Sequence, residues 1–391
     1  MRSLASVVRR ARGSGGIGVG GWVGRQKGLR VSGCDSSGYM ALPGLGLVQG
    51  TSVCVAARRG SHRAHSLVAG THVAWAKAFA AGAWSPACGR VGGGSRLTSG
   101  RAATGRGVRA FGTMASGSGE FTIADQPARF AAAKASGNKR VLDIESVYDP
   151  GLLKGQRVLV TGGNRGIGLA LVNELVAAGA HVVATCRSSS QELDSAGCAQ
   201  ILMGCDVQDE ASCKAMAQAV EGTLDIVINN AGYFYGPVEK LDTLNFEEEI
   251  KMIDICAVGP LRVTSALVNA GKVKKPGGKV SVITSQGGSV SWRTVQNPDG
   301  GDYGHHMSKA AANMGAVLLA QELKKDGISV SVLHPGFNKT DMTAKYAHIW
   351  EIEGAVDVSV GAKRVMHEIN LQSMETTGKF INCEDGLQIP W

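Results

Sequence analysis

The stretch Gln156-Arg157-Val158-Leu159-Val160-Thr161-Gly162-Gly163-Asn164-Arg165-Gly166-Ile167-Gly168, QRVLVTGGNRGIG, decides the fold. An apolar run from Arg157 to Thr161 predicts a buried strand. The glycines that follow predict a tight turn, and the pattern from Leu169 to Ala178 predicts a helix. A glycine turn between a strand and a helix lets backbone N–H groups approach a pyrophosphate at the positive end of the helix. The spacing is GxxxGxG, so Gly162, Asn164, Arg165, Gly166, Ile167 and Gly168 are candidate dinucleotide-binding residues.

Working outward, the same alternation continues. HVVATCR, AQILMGCDV, LDIVINNAG, GKVSVITS, ISVSVLHPG and GKFINC read as strands. Between them lie DEASCKAMAQAVEG, a long amphipathic run from Phe246 to about Lys272, the segment YGHHMSKAAANMGAVLLAQELKKDG, and DVSVGAKRVMHEI, all helical in pattern. Strands that are apolar throughout and alternate with helices imply a parallel sheet covered on both faces. The fold class expected is therefore α/β, a doubly wound Rossmann-type sheet forming one domain over 155–391.

The residue at the end of the second strand bears on coenzyme choice. An acid there would accept from a free ribose 2′-hydroxyl, but the chain has Thr185-Cys186-Arg187-Ser188. With Arg165 in the turn itself, two guanidiniums are available to grip a 2′-phosphate bidentately, which favours NADP(H).

The remainder of the chain differs in kind. Of 41 lysines and arginines and 32 acids, residues 1–113 hold 16 bases and one acid, Asp35, leaving 25 bases and 31 acids downstream. This leader, rich in Gly, Ala, Ser and Arg, has no helical or strand periodicity, and its positive charge gives no reason to expect nucleic-acid binding. Its composition suits a targeting peptide for a plastid or mitochondrion; the alternative is a start at Met114 and a cytoplasmic protein. Residues 114–154 read as a polar arm. The most apolar leader segment, SLVAGTHVAWAKAFAAGAW, contains His72 and Lys77, so no membrane span is expected. Nine cysteines show neither CxxC pairing nor metal-ligand spacing, and no metal is expected.

TGGNRGIG, NNAG at 229–232, ITSQGGS, a lysine-bearing helix and HPGFNKT together resemble the short-chain dehydrogenase/reductase family over about residues 155–391. The ending GKFINCEDGLQIPW, with SKAAAN, is similar to the small carbonyl reductases of its C-factor-like branch. The resemblance implies that Gly162, Gly166 and Gly168 line the pyrophosphate and that Asp206 with Val207 holds the adenine. It further implies that Asn230, with Ala231 and Gly232, pins the central strand to the cofactor, and that Pro335, Gly336 and Thr340 meet the nicotinamide carboxamide. A helix-capping role for Asp206 is an alternative. It implies a small carbonyl or alcohol substrate, and a homo-oligomer built on the helix that carries Lys309.

Catalysis in the family draws on Asn, Ser, Tyr and Lys, because hydride transfer to a carbonyl carbon leaves charge on oxygen that donors must meet. Ser285 and Lys309 fall where the resemblance requires, with the Lys309 ammonium on the nicotinamide ribose. The other two positions differ. Cys256 stands where asparagine is expected, and His305 stands four residues before Lys309, where tyrosine belongs. Tyr303 is six residues before Lys309. Four residues back on a helix is about 40° away from Lys309, whereas six residues back is about 240°. His305 therefore shares a face with Lys309. Imidazole is a competent acid, although the Lys309 charge opposes its protonation. Two functions follow: an NADP(H)-dependent oxidoreductase using Ser285, Lys309 and His305 or Tyr303, or a catalytically weak NADP(H)-binding sensor or interaction protein.

Overall fold

A computed structural model describes residues 120–391. The leader expected over 1–113, and residues 114–119 of the arm, lie outside the described residues. The arm from Glu120 onward is not featureless. It forms α1 (Gln126–Ser136), α2 (Lys139–Leu142) and two turns of 3₁₀-helix. Helix α1 has the local signals for its boundaries: the Asp125 carboxylate accepts from Ala128 N–H at 3.0 Å, Pro127 sits in the first turn, and Gly137 closes it with φ 61°.

From Arg157 onward the alternation holds. The elements are β1 (Arg157–Thr161), α3 (Gly166–Ala177), β2 (His181–Thr185), α4 (Gln191–Ser195), β3 (Gln200–Leu202), α5 (Glu210–Ala219) and β4 (Ile226–Asn229). Next come α6 (Phe246–Ile253), α7 (Gly259–Asn269), β5 (Lys279–Ile283), α8 (Arg293–Gln296), α9 (Tyr303–Leu323) and β6 (Ser329–His334). The chain ends with β7 (Asn338–Lys339), α10 (Trp350–Glu353), β8 (Val356–Asp357), α11 (Val358–Leu371) and β9 (Phe380–Asn382). Seven strands form one parallel sheet in the order β3-β2-β1-β4-β5-β6-β9; β7 and β8 pair separately.

Strand burial explains the layers. Because side chains alternate across the sheet, Leu159, Val183 and Val227 face one core, with Val263 and Leu267 of α7 and Ala316 and Ala320 of α9. Val158, Val160, Val182 and Ile228 face the other, with Leu171 and Leu175 of α3 and Val365 and Ile369 of α11. On α9 the buried residues Ala312, Ala316 and Ala320 recur every fourth position, and small side chains let this helix lie close to the sheet.

The single helix expected from Phe246 to about Lys272 is interrupted. Its 24 residues, Phe246–Asn269, include one wider π-turn, Asp254–Val258, which contains Cys256. This run is long and apolar enough to cross a membrane by length and composition, but half of its apolar window is buried by neighbouring elements.

The chain crosses over between β1 and β4, so the connections leaving those two strands diverge and open a crevice at their C-terminal ends. All site residues below belong to that edge. Leu159 is fully buried in β1. Leu159→Ala is expected to lower unfolding free energy by about 2–5 kcal/mol, read from the midpoint of a urea titration.

Candidate active site at the C-terminal edge of the sheet

The glycine turn is held by backbone proximity. A Cβ on Gly168 would lie 2.1 Å from the Gly162 carbonyl oxygen and 2.5 Å from Asn230 Nδ2, a space that only glycine can leave open. Gly162 and Gly166 have φ of 68° and 55°. Asn230 secures the turn from the next strand: its Nδ2 donates to Thr161 O at 3.0 Å, and the N–H groups of Asn230 and Ala231 both donate to Thr161 Oγ1 at 3.0 Å. The turn delivers the N-terminus of α3 to the crevice, with Arg165 extended and exposed just before it. This arrangement fits a pyrophosphate cradle.

At the adenosine end, Ser190 Oγ donates to Asn164 O at 3.0 Å, tying the turn to the loop after β2, where Arg187 is exposed. Asp206 follows β3. Its Oδ1 accepts from Gln208 N–H at 3.0 Å, and the cap of α5 is Asp209, whose carboxylate accepts from Ala211 and Ser212 N–H. The capping alternative for Asp206 thus falls to its neighbour three residues on. Val207 lies against Gly259, where a Cβ would approach its Cγ2 to 3.0 Å.

The end that holds Ser285 is built on α9. Ser285 lies just past β5, and its hydroxyl accepts from Gly287 N–H at 3.0 Å. The SQGG turn rests on the first turns of α9. A Cβ on Gly287 would meet His305 Nε2 at 2.9 Å and His306 Nδ1 at 3.1 Å; one on Gly288 would meet Asn313 Nδ2 at 2.6 Å and Lys309 O at 2.8 Å. Both glycines are therefore dictated by close approach. His306 fixes the contact: Nδ1 lies 2.9 Å from Gly287 O, and Nε2 lies 3.1 Å from Asn297 Nδ2. The tautomer consistent with both donates from Nδ1 and accepts at Nε2.

His305, not Tyr303, meets the serine turn. Tyr303 is the first residue of α9 and is 39% exposed, and a Cβ on Gly300 would lie 4.0 Å from its hydroxyl. The His305 ring lies edge-on to Phe234, with centroids 4.9 Å apart. Burial pushes its pKa well below the usual histidine value, and Lys309, His306, Arg293 and Lys345 push the same way. The imidazole is thus neutral near pH 7. Cys256 takes a local job: Sγ donates to Tyr233 O at 3.3 Å and accepts from Tyr233 N–H at 3.4 Å, fastening the loop after β4 to the π-turn. Gly232 is exposed in that loop.

Beyond β6, Pro335 and Gly336 are buried. Gly336 has φ 84°, and a Cβ there would strike Glu384 Cγ at 2.7 Å. Thr340 caps the following turn, accepting from Thr343 N–H at 3.2 Å. Several residues here have roles that the sequence does not single out: Gln286, His334, Asn313 and Glu384 lie within the quoted motifs, and Phe234 and Arg129 of the arm outside them. The contacts that give them a role are remote in the chain.

The fold and crevice define a dinucleotide-binding doubly wound protein. The short chain dehydrogenase family model matches residues 156–349. A 1-hydroxy-2-glutathionyl-2-methyl-3-butene dehydrogenase of Rhodococcus sp. (strain AD45) is 31% identical over 239 residues, 60% of this chain and 99% of that protein. The C-signal protein of Myxococcus xanthus is 35% identical over 173 residues, 44% and 94% of the two chains. The crystal structure of NADPH-bound carbonyl reductase from chicken fatty liver superposes with a TM-score of 0.53 at 26% identity, covering 61% of this chain and all of that one. The chain belongs to the short-chain dehydrogenase/reductase family.

His334 gives the site a pH-dependent stability. Burial pushes its pKa to about 4; Glu384 opposes the shift, while Arg129, Arg364 and Lys309 add to it. Both ring nitrogens are buried without a partner. Since the unfolded chain takes up this proton near pH 6.5, the stabilisation is complete above that value and declines as pH falls from 6.5 towards 4, by up to about 3 kcal/mol. Chemical denaturation of wild type and His334→Leu across this range checks it. The difference between their pH slopes is expected to approach one proton, and parallel curves would contradict the assignment.

Proposed function

We propose that the protein is an NADP(H)-dependent oxidoreductase that reduces a small carbonyl compound, with Ser285 and His305 at the carbonyl oxygen and Lys309 on the nicotinamide ribose. The observation that supports this reading is the packing of the SQGG turn on α9: Ser285 heads that turn, a Cβ on Gly287 would meet the His305 ring, and one on Gly288 would meet the Lys309 carbonyl. The NADPH in the carbonyl reductase neighbour, and the dehydrogenase relative, support it. Exposed Arg165 and Arg187, with no acid directly after β2, favour the 2′-phosphorylated coenzyme.

NADPH, when bound, supplies the hydride to the carbonyl carbon. The chain's part is to meet the charge that develops on oxygen. Ser285 Oγ donates one hydrogen bond, and His305 delivers the proton from its ring. The Lys309 ammonium orients the ribose, while its charge opposes protonation of His305. The acid is therefore scarce at neutral pH and becomes more abundant as pH falls through its depressed pKa.

Reduction of a panel of aldehydes and quinones, followed by NADPH oxidation from pH 5 to 8, is expected to speed up on acidification. His305→Ala should lose about 10²- to 10⁴-fold, as for removal of a general acid. Tyr303→Phe should retain activity, and His305→Tyr should remove the acid dependence. Activity lost in Tyr303→Phe but kept in His305→Ala would refute the assignment. NADPH binding without turnover at any pH, with turnover gained in His305→Tyr, would replace the enzyme reading with that of a binding protein.

The coenzyme assignment is tested by affinity. Arg187→Asp should weaken NADPH binding about tenfold or more, the order expected for losing a charge-assisted contact, and leave NADH binding equal or improved. Equal affinity for NADPH in variant and wild type would place the phosphate elsewhere.

A further inference from the structure

We infer that the arm upstream of the matched family residues is part of the active site, and that Arg129 on α1 is a positioning residue locking the serine turn to the loop after β6. Arg129 is 7% exposed and lies 255 positions from its acidic partner. Its Nη1 donates to Ile123 O at 2.6 Å. Its Nη2 is shared between Glu384 Oε2 at 2.9 Å and Gln286 Oε1 at 3.2 Å.

These two acceptors report to different loops. Gln286 directly follows Ser285, and its amide is held at both ends: Oε1 by Arg129, and Nε2 by donation to Gln126 Oε1 at 2.6 Å. Gln126 and Arg129 are three residues apart, so they lie on one face of α1. Glu384 reaches the other loop. Its Oε1 accepts from Phe337 N–H at 3.2 Å, and its side chain fills the space that a Cβ on Gly336 would need. Burial raises the Glu384 pKa, but Arg129, by charge and hydrogen bond, and Arg364, by charge, outweigh it and hold the carboxyl below its usual value, so the acceptor stays ionised. Arg129 supplies the hydrogen-bonded half of that neutralisation; Arg364 Nη1 stands off at 3.9 Å.

One planar guanidinium thus connects the loop carrying Ser285 to the loop carrying Pro335 and Gly336, through two short polar bridges in a buried setting. The arm is itself anchored on the C-terminal tail and beside the serine loop. Thr122 N–H donates to Gln388 O at 2.9 Å, Thr122 Oγ1 to Asp385 Oδ2 at 2.6 Å, and Gln296 Nε2 to Ala124 O at 2.7 Å. On the tail side, Ser291 N–H donates to Trp391 O at 3.0 Å. Both chain ends of the described region therefore buttress the segment that follows Ser285. This inference rests on the proposed function only in naming those loops as catalytic.

The test is amide hydrogen exchange on the full chain, alongside turnover with 9,10-phenanthrenequinone and NADPH titration. In Arg129→Met, exchange in 284–290 and in 335–339 should rise by about tenfold or more, with β1 and α3 unchanged, as for a local opening. The same variant should lose about 10- to 100-fold in kcat with NADPH affinity within about threefold of wild type, because misplacement of a positioned group costs rate before binding. Arg129→Lys keeps the charge but not the fork. It should restore protection at 335–339 and leave 284–290 loosened. Gln126→Leu removes the bridge to Gln286 and a 3.3 Å bond from Gln126 Nε2 to Glu353 O, keeps the Arg129 contacts, and should loosen 284–290 but not 335–339; it decides the matter if Arg129→Met does not fold. Exchange that rises only within 126–142, with both loops and kcat as in wild type, would overturn the inference. A wild type inert towards carbonyls would instead overturn the proposed function, and the exchange results would still decide the role of Arg129.

Discussion

The near-contact of three backbone segments governs the rest of the molecule. Gly168 on the first turn of α3 lies so close to the Gly162 carbonyl and the Asn230 amide that no side chain fits between them. That proximity fixes where α3 leaves the sheet, and therefore where its N-terminal N–H groups point. Asn230 and Thr161 then join the C-terminal ends of β4 and β1 by hydrogen bonds, so the crevice at the crossover has one rigid wall.

The opposite wall obeys the same logic with different residues. Gly287 and Gly288 let the serine turn lie directly on α9, and the space their missing side chains leave is filled by His305, His306, Asn313 and the Lys309 carbonyl. A shorter ring at the position four residues before Lys309 is compatible with this packing. Its burial, however, with cationic neighbours pushing the same way, keeps the imidazole neutral. The histidine therefore alters proton chemistry more than architecture: the SQGG turn still packs directly on α9, while the ring at position 305 is held in its neutral form. Cys256 illustrates a parallel exchange, with the sulfur serving the Tyr233 backbone within the π-turn.

The order of strands and the glycine turn were legible because each depends on local pattern: fully apolar runs for buried parallel strands, and glycine where a Cβ would collide. Helix periodicity likewise puts His305, four residues before Lys309, on that residue's face, and Tyr303 off it. Other features were not legible. A run of continuous helical pattern from Phe246 does not reveal a π-turn, since the extra residue is accommodated by backbone adjustment at Asp254–Val258. The arm read as polar because its key residue is an arginine; that Arg129 is buried follows only from Glu384 and Gln286, distant in sequence. His334 likewise reads as part of an apolar strand end, and its charge environment comes from α1, α9, α11 and the segment after β9.

The account stands on the claim that the turn after β1 seats a 2′-phosphorylated nicotinamide coenzyme. Titration of the protein with NADPH, followed by nicotinamide fluorescence for wild type and Gly168→Ala in parallel with their thermal unfolding, tests it most directly. Saturable binding to one site per chain in wild type, lost in a Gly168→Ala protein that still unfolds cooperatively, is the expected result. Equal binding by the two proteins, or none by wild type, would contradict it.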